Sequence, residues 1–367
     1  MHKELKEAES ALGLAGHLQH LDAAHDRSEA FIRAASEALR DAASRQLESP
    51  TPLDDLPLDV VAFGSYARYE ATDESDFDYL VITHGLPGNP KLTRALLREA
   101  DNLRKLPQLR ANERNNILFQ QPARSAPEIR PPGLTGMFGR VVAAPDLTER
   151  IGLEQDTNQS HTVRMLLLQE CVSLFQPNRL EALLRTMLQR YLIDYREPKK
   201  GVPRFLLNDT VRYWRTLTVD YQAKRYEQLV PKWGLRYLKL IISRKLAFAG
   251  TLASLLLCDE IRPATVDYLY GQVSMPPLAR LAQLHRYISE EAPRQSLGHL
   301  LLYADSFNER LGDGAFREEV EAVEDLTSDS PAFKDGREMA RKVQQHLEVL
   351  FFESDILGYR TRRYLSF

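Results

Sequence analysis

Two aspartates, Asp76 and Asp78, head an apolar run in the stretch "FGSYARYEATDESDFDYLVI", residues 63–82. Asp is depleted from strands, and two like charges on one face repel each other. Residues two apart on a strand share a face, so both carboxylates point one way while Phe77 and Tyr79 point the other. Such a pair is a ligand set for a hard cation such as Mg²⁺, which takes oxygen ligands and keeps waters or phosphate oxygens in its other positions. Gly64 and Ser65 end the preceding apolar segment. Glycine lets a backbone approach a phosphate closely, and a serine hydroxyl with nearby amides can bond its oxygens. A phosphate cradle facing a metal platform is equipment for phosphoryl or nucleotidyl transfer.

These residues need a strand–turn–strand frame, and the flanking sequence predicts one. "LDVVAFGS" reads as a short strand entering the Gly-Ser turn, and "FDYLVIT" as its successor. Residues 27–47 have helical spacing, and "ESPTPLDDLP" interrupts it with three prolines. Residues 89–106 predict a helix with Asn89 as N-cap and Pro90 at its first position. "NNILFQ" and "RVVA" are candidate further strands, separated by a Pro- and Gly-rich loop at 122–139. Asp146 with Glu149 reads as a capping box, and Asp156 as an N-cap. From about Asp156 onward the segments suit helices, including "DTNQSHTVRMLLLQECVSLF" and "WGLRYLKLIISRKLAFAGTLASLLL". The expected class is α+β, a small α/β module followed by a larger all-helical domain. The expected division is 1–50 (N-terminal helical segment), 51–155 (the module) and 156–367 (helical substrate-binding domain).

Composition sets the class: 367 residues, 43% hydrophobic and 27% charged, describe a soluble globular chain able to bury a core. A net charge of −3 gives no global sign of nucleic-acid binding. Between Lys199 and Lys245, however, twelve Lys and Arg face three acids, a local balance of +9. Cys171 and Cys258 sit in apolar runs, as expected of reduced thiols. No apolar run approaches the roughly 20 residues of a membrane span, and the N-terminus lacks a secretory apolar region. A cytoplasmic protein without a membrane partner is expected.

The arrangement strand, Gly-Ser, ten residues, then Asp-Phe-Asp opening an apolar strand resembles the signature of the DNA polymerase beta-like nucleotidyltransferase superfamily. Ala67-Arg68, Glu70-Ala71-Thr72 and Ser75 resemble the corresponding residues of bacterial minimal nucleotidyltransferases. The helical continuation is similar in layout to enzymes with a helical substrate-binding domain, including the uridylyltransferase that modifies the PII signalling protein. The resemblance implies Mg²⁺-dependent transfer of a nucleoside monophosphate from an NTP to an acceptor hydroxyl, with two metal ions and release of pyrophosphate. Asp76 and Asp78 would hold the metal, Gly64 and Ser65 the β- and γ-phosphates, and Arg68 would assist. Two departures stand out. Tyr69 occupies the place of a glycine, and neither "NNILFQ" nor "RVVA" carries the third carboxylate that often serves as base. Among Glu128, Asp146, Glu154 and Asp156, the last is the choice for that role, in the polar "EQDTNQ" segment.

In the basic segment, Arg236, Lys239 and Ser243 form one narrow polar stripe on a helix otherwise apolar nearly all round. An unpaired buried charge is costly, so the stripe is expected either to bind the triphosphate or the acceptor, or to pair with acids elsewhere. His17, His20 and His25 lack a regular metal-ligand spacing and read as surface histidines. "GLTGMFG" lacks phosphate-loop spacing and reads as a hinge or lid. The acceptor stays open between protein, tRNA and small molecule. Two other function classes stay open as well: a toxin-like modifier of a protein or tRNA, and a non-catalytic nucleotide-binding regulatory module.

Overall fold

The structure, a computed structural model, describes residues 1–46, 56–85, 90–109, 138–193, 201–226, 232–258 and 264–365. The expected strand "NNILFQ", Glu128 and nearly all of the 122–139 loop lie outside them.

Two helices, α1 (Lys3–Ala11) and α2 (Gln19–Gln46), precede strand β1 (Leu58–Phe63), the short helix α3 (Gly64–Ala67), strand β2 (Asp78–Thr83) and helix α4 (Pro90–Leu109). Strand β3 (Val141–Ala143), helices α5 (Ala144–Thr148) and α6 (Asn158–Gln169), strand β4 (Val172–Ser173) and helix α7 (Pro177–Tyr191) complete the sheet region. The four strands lie in the order β3-β2-β1-β4, with β2 parallel to β3 and the other pairs antiparallel.

Period-two alternation divides the sheet between two cores. Val60, Ala62, Tyr79 and Val81 face Phe31, Ala35 and Leu39 of α2 and Leu92 and Leu96 of α4. Val61, Phe63, Leu80 and Ile82 face the other way, into a core with Val163 and Leu167 of α6 and Leu183 and Met187 of α7. That second core runs on through the helical part of the chain, so one side of the sheet is continuous with it. Helix α2 bridges both cores: Leu21 belongs to the helical one and Phe31 to the sheet one.

The helical part comprises α8 (Arg204–Tyr226), α9 (Trp233–Lys239), a π-helical turn at Leu240–Arg244, α10 (Lys245–Leu256), α11 (Val266–Val273), α12 (Pro277–Ala282), α13 (Glu291–Gly312), α14 (Gly314–Glu321), α15 (Pro331–Glu348) and α16 (Asp355–Leu365). The fold is α+β, as the sequence implies. Among the described residues, no helix is long and apolar enough to cross a membrane. Cys171 and Cys258 are both free thiols.

Three local expectations are corrected. The helix expected through Phe175 stops at Gln169, because Val172 and Ser173 add to the sheet edge. Buried Asp59 on β1 holds that edge, its Oδ1 accepting from Ser173 Oγ (3.0 Å), Phe175 N (3.2 Å) and Gln176 N (2.7 Å). The N-cap of α6 is Thr157, not Asp156, since the Thr157 hydroxyl accepts from Ser160 N. Asp146 lies inside the first turn of α5 rather than at its cap.

Candidate active site

Strand β1 ends at Phe63, whose partner across the ladder is Asp78. Gly64 then turns the chain at φ +71, and a Cβ added there would come within 3.1 Å of Asp78 Oδ2. The left-handed backbone and the close carboxylate both disfavour a side chain there. The Asp78 carboxylate therefore lies directly over the Gly-Ser turn. Asp76 is exposed and Asp78 half-buried, while Phe77 and Tyr79 are fully buried and stack on each other with ring centroids 5.5 Å apart. Ser65 is half-buried beside the turn.

The ten residues between Ser65 and Asp76 are pinned from several sides. Arg68 donates to Glu70 Oε2 (2.8 Å) and Glu170 Oε2 (2.7 Å), and Glu70 N donates to Ser65 O (2.9 Å). Burial works against the Arg68 charge, but Glu170 and Glu70 outweigh it and hold the guanidinium protonated. Thr72 N donates to Ser75 Oγ (2.9 Å), Arg27 of α2 pairs with Asp73 (2.9 Å), and Asn308 of α13 donates to Glu70 O (2.8 Å). Tyr69 sits at φ +59, the left-handed region that favours glycine, and stacks on His25 at 4.8 Å. That ring packing compensates a strained backbone.

The helical part supplies the opposite wall. Lys239 closes α9 at the start of the π-helical turn, an irregularity that often marks functional positions. Burial pushes its ammonium pKa down to about 8, with Arg317 adding to the effect and Asp76 opposing it; Arg68 and Arg244 lower it further. Lys239 therefore lies within electrostatic reach of Asp76, in a setting crowded with cations. Ser243 lines a small cavity with Glu70, Asn308 and Leu311, so the stripe turns toward the motif loop. Arg236 is half-buried one turn before Lys239. Among the described residues, no carboxylate forms an ion pair with Arg236, Lys239 or Arg244.

Asp156 is engaged elsewhere. Its carboxylate takes two bonds from Arg164, to Oδ1 at 3.1 Å and Oδ2 at 2.7 Å, and one from Gly152 N at 3.0 Å. Arg164 also donates to Tyr191 Oη (2.7 Å), which donates to Asp209 Oδ2 (2.6 Å). Asp146 and Glu154 are exposed. Among the described residues, one group of three acids and histidines could share an ion: His25, Asp26 and Glu29, with ligand atoms within 4.8 Å. Two of the three are exposed, and His25 is stacked on Tyr69.

The structure thus brings Asp76, Asp78, Gly64, Ser65, Lys239 and Ser243 around one loop, with Arg68 as its internal tie. Sequence reasoning missed Arg317 and Arg244 beside Lys239; Arg244 was signalled only by the basic balance of its segment.

Residues 45–126 match the nucleotidyltransferase domain family. The segment with Gly64, Ser65, Asp76 and Asp78 is a nucleotidyltransferase domain of the polymerase beta-like superfamily, and it points to nucleoside monophosphate transfer from a triphosphate. No curated protein matches the chain.

Proposed function

We propose that the protein is a Mg²⁺-dependent nucleotidyltransferase. The observation that carries this reading is the Asp78 carboxylate seated over the left-handed Gly64 turn, where an added Cβ would crowd Asp78 Oδ2 at 3.1 Å. Two carboxylates on adjacent same-face positions form a hard oxygen donor set that suits Mg²⁺. Asp76 and Asp78 would hold the ion, which when bound supplies charge neutralisation at the phosphates.

The chain's own residues orient the substrates. The Gly64–Ser65 turn presents backbone and hydroxyl donors to the triphosphate, and Ser65 Oγ donates to a phosphate oxygen. Lys239 and Arg236 neutralise the negative charge that accumulates on the departing pyrophosphate, in a partly water-excluded setting where such contacts are strengthened. Arg68 acts as a positioning residue, tying the Glu70 turn to Glu170. In the transfer, an acceptor hydroxyl oxygen bonds to the α-phosphorus and its proton passes to solvent. The bond from that phosphorus to the β-bridging oxygen breaks, releasing pyrophosphate in line. Asp156 has no part in this reading, because Arg164 occupies its carboxylate.

The test is calorimetric titration with each NTP in the presence of Mg²⁺. Binding by wild type that is lost in Gly64→Val and retained in Ser65→Ala supports the reading, since the serine change removes a single hydrogen bond worth on the order of 1 kcal/mol. Equal affinity in wild type and Gly64→Val contradicts it.

A further inference from the structure

Arg140 is a charged residue on the acid pair's side of the sheet that plays no part in the reading above. Gly139, at φ +75, turns the chain into β3, and the ladder continues through Val81 N donating to Arg140 O at 3.0 Å. Val142 pairs with Ile82 and packs into the same core as Ile82. Arg140 immediately precedes β3, and its guanidinium reaches Gln159 of α6, the helix whose Val163 and Leu167 pack on the face of Leu80 and Ile82. Being one strand across and two residues along, its Cα lies roughly 8 Å from that of Asp78.

The guanidinium is half-buried, and its Nε is buried without a partner. With the Gln159 amide turned to present its oxygen, Nη2 and Nη1 reach that neutral acceptor at 2.6 and 2.5 Å. Among the described residues no carboxylate pairs with it, and burial alone pushes its pKa down. A half-buried charge with a neutral partner is costly unless an anion completes it.

Its side of the site matters. In the strand order β3-β2-β1-β4, Arg140 flanks Asp78 on the β3 side. The Gly64 turn follows β1, and Arg68, which Lys239 senses, is tied to Glu170 just before β4. Arg140 and the Gly64 turn therefore lie on opposite sides of Asp78. In-line displacement puts the leaving pyrophosphate and the acceptor on opposite sides of the α-phosphorus. Resting on nucleotidyl transfer at this site, we propose that Arg140 binds an anionic group of the acceptor, so that the acceptor is a phosphorylated molecule bearing a hydroxyl rather than a neutral one.

The test uses the full chain with Mg²⁺ and a non-hydrolysable NTP analogue, so that the triphosphate side is filled, and titrates inorganic phosphate by calorimetry. Loaded wild type is expected to bind phosphate saturably. Arg140→Gln should weaken that binding at least about tenfold, the scale of a charge-assisted hydrogen bond, while changing analogue affinity less than about twofold. Arg140→Lys, which keeps the charge without the fork, should retain part of it. Loaded wild type that takes up no phosphate, or Arg140→Gln that takes it up equally, overturns the proposal. If no analogue binds at all, nucleotidyl transfer fails instead. Phosphate titration of the unloaded protein then reads Arg140 by itself: a site lost in Arg140→Gln and kept in Lys239→Gln sustains the anion site, and any other pattern removes it.

Discussion

The molecule treats its inward-facing cations in two different ways. Arg280 is fully buried and, among the described residues, forms no ion pair with a carboxylate, yet its donors reach the carbonyls of Met275, Leu168, Gln169 and Val273 and the Thr251 hydroxyl, at 2.7 to 3.3 Å. Arg164 is held by Asp156 and Tyr191, and Arg68 by Glu70 and Glu170. Each is neutralised or saturated within the fold, so each serves structure. Around Asp76 and Asp78 the pattern reverses. Lys239 has cations as most of its electrostatic neighbours, and Arg140 has only a neutral amide. Charge left uncompensated at one place in a chain that compensates it elsewhere marks where an anionic ligand belongs.

Substitutions can break this contrast, and the largest effect is expected at the acids. Asp78→Asn keeps the side-chain shape and should reduce nucleotide transfer by at least on the order of a hundredfold, with an unchanged circular dichroism spectrum. Retained activity would place the metal elsewhere.

Next is the structural class. Arg164→Met leaves Asp156 without its cation and Asp209 with only Arg212 at 4.0 Å, and should lower unfolding free energy by roughly 3–5 kcal/mol, measured by urea titration. A loss of less than about 1 kcal/mol would mean that this network contributes little, and the contrast with the cleft would weaken.

Gly64→Ala has a smaller expected effect. The left-handed backbone costs about 1–2 kcal/mol for a residue with a Cβ, and the added methyl crowds Asp78 Oδ2 at 3.1 Å. Both stability and NTP affinity should fall, whereas a neighbour-only packing change would lower stability alone.

The contrast sharpens further with pH. The folded-state pKa of Lys239 is about 8, lowered chiefly by burial, so the free protein carries that charge below pH 8 and loses it above. The kcat/KM for NTP, which reports the free enzyme, should be flat below that point and fall as pH rises through it. Lys239→Arg should move the fall to higher pH, because a guanidinium stays charged. Lys342 is exposed on α15, and Lys342→Ala should change stability by no more than about 0.5 kcal/mol and leave this profile intact.

How much of this was legible depends on the range of the interactions. The alternation of Asp76 and Asp78 with Phe77 and Tyr79 follows from strand period alone, and the structure keeps it. Gly64 was legible as a position that needs either a positive φ or a close phosphate approach, and its φ is +71. The approach of Lys239 to Asp76 was half-legible: the polar stripe was visible in the helix, but its neighbours Arg68 and Arg317 come from distant segments. The short β4 was not legible, because two residues, Val172 and Ser173, become a strand through Asp59 more than a hundred residues earlier. Nor was the pairing of Arg68 with Glu170, which makes a tie of a residue that the motif suggested for phosphate. Arg140 carries no local signal, since its meaning depends on a parallel register with β2.

The most direct measurement incubates the protein and its Asp76→Asn variant with each α-labelled NTP, Mg²⁺ and cell extract, then resolves the labelled products. Wild type is expected to show Mg²⁺-dependent labelling of an acceptor with at least one NTP and release of pyrophosphate, and Asp76→Asn to show neither. No transfer with any NTP, or labelling that survives in Asp76→Asn, would contradict nucleotidyl transfer at this site.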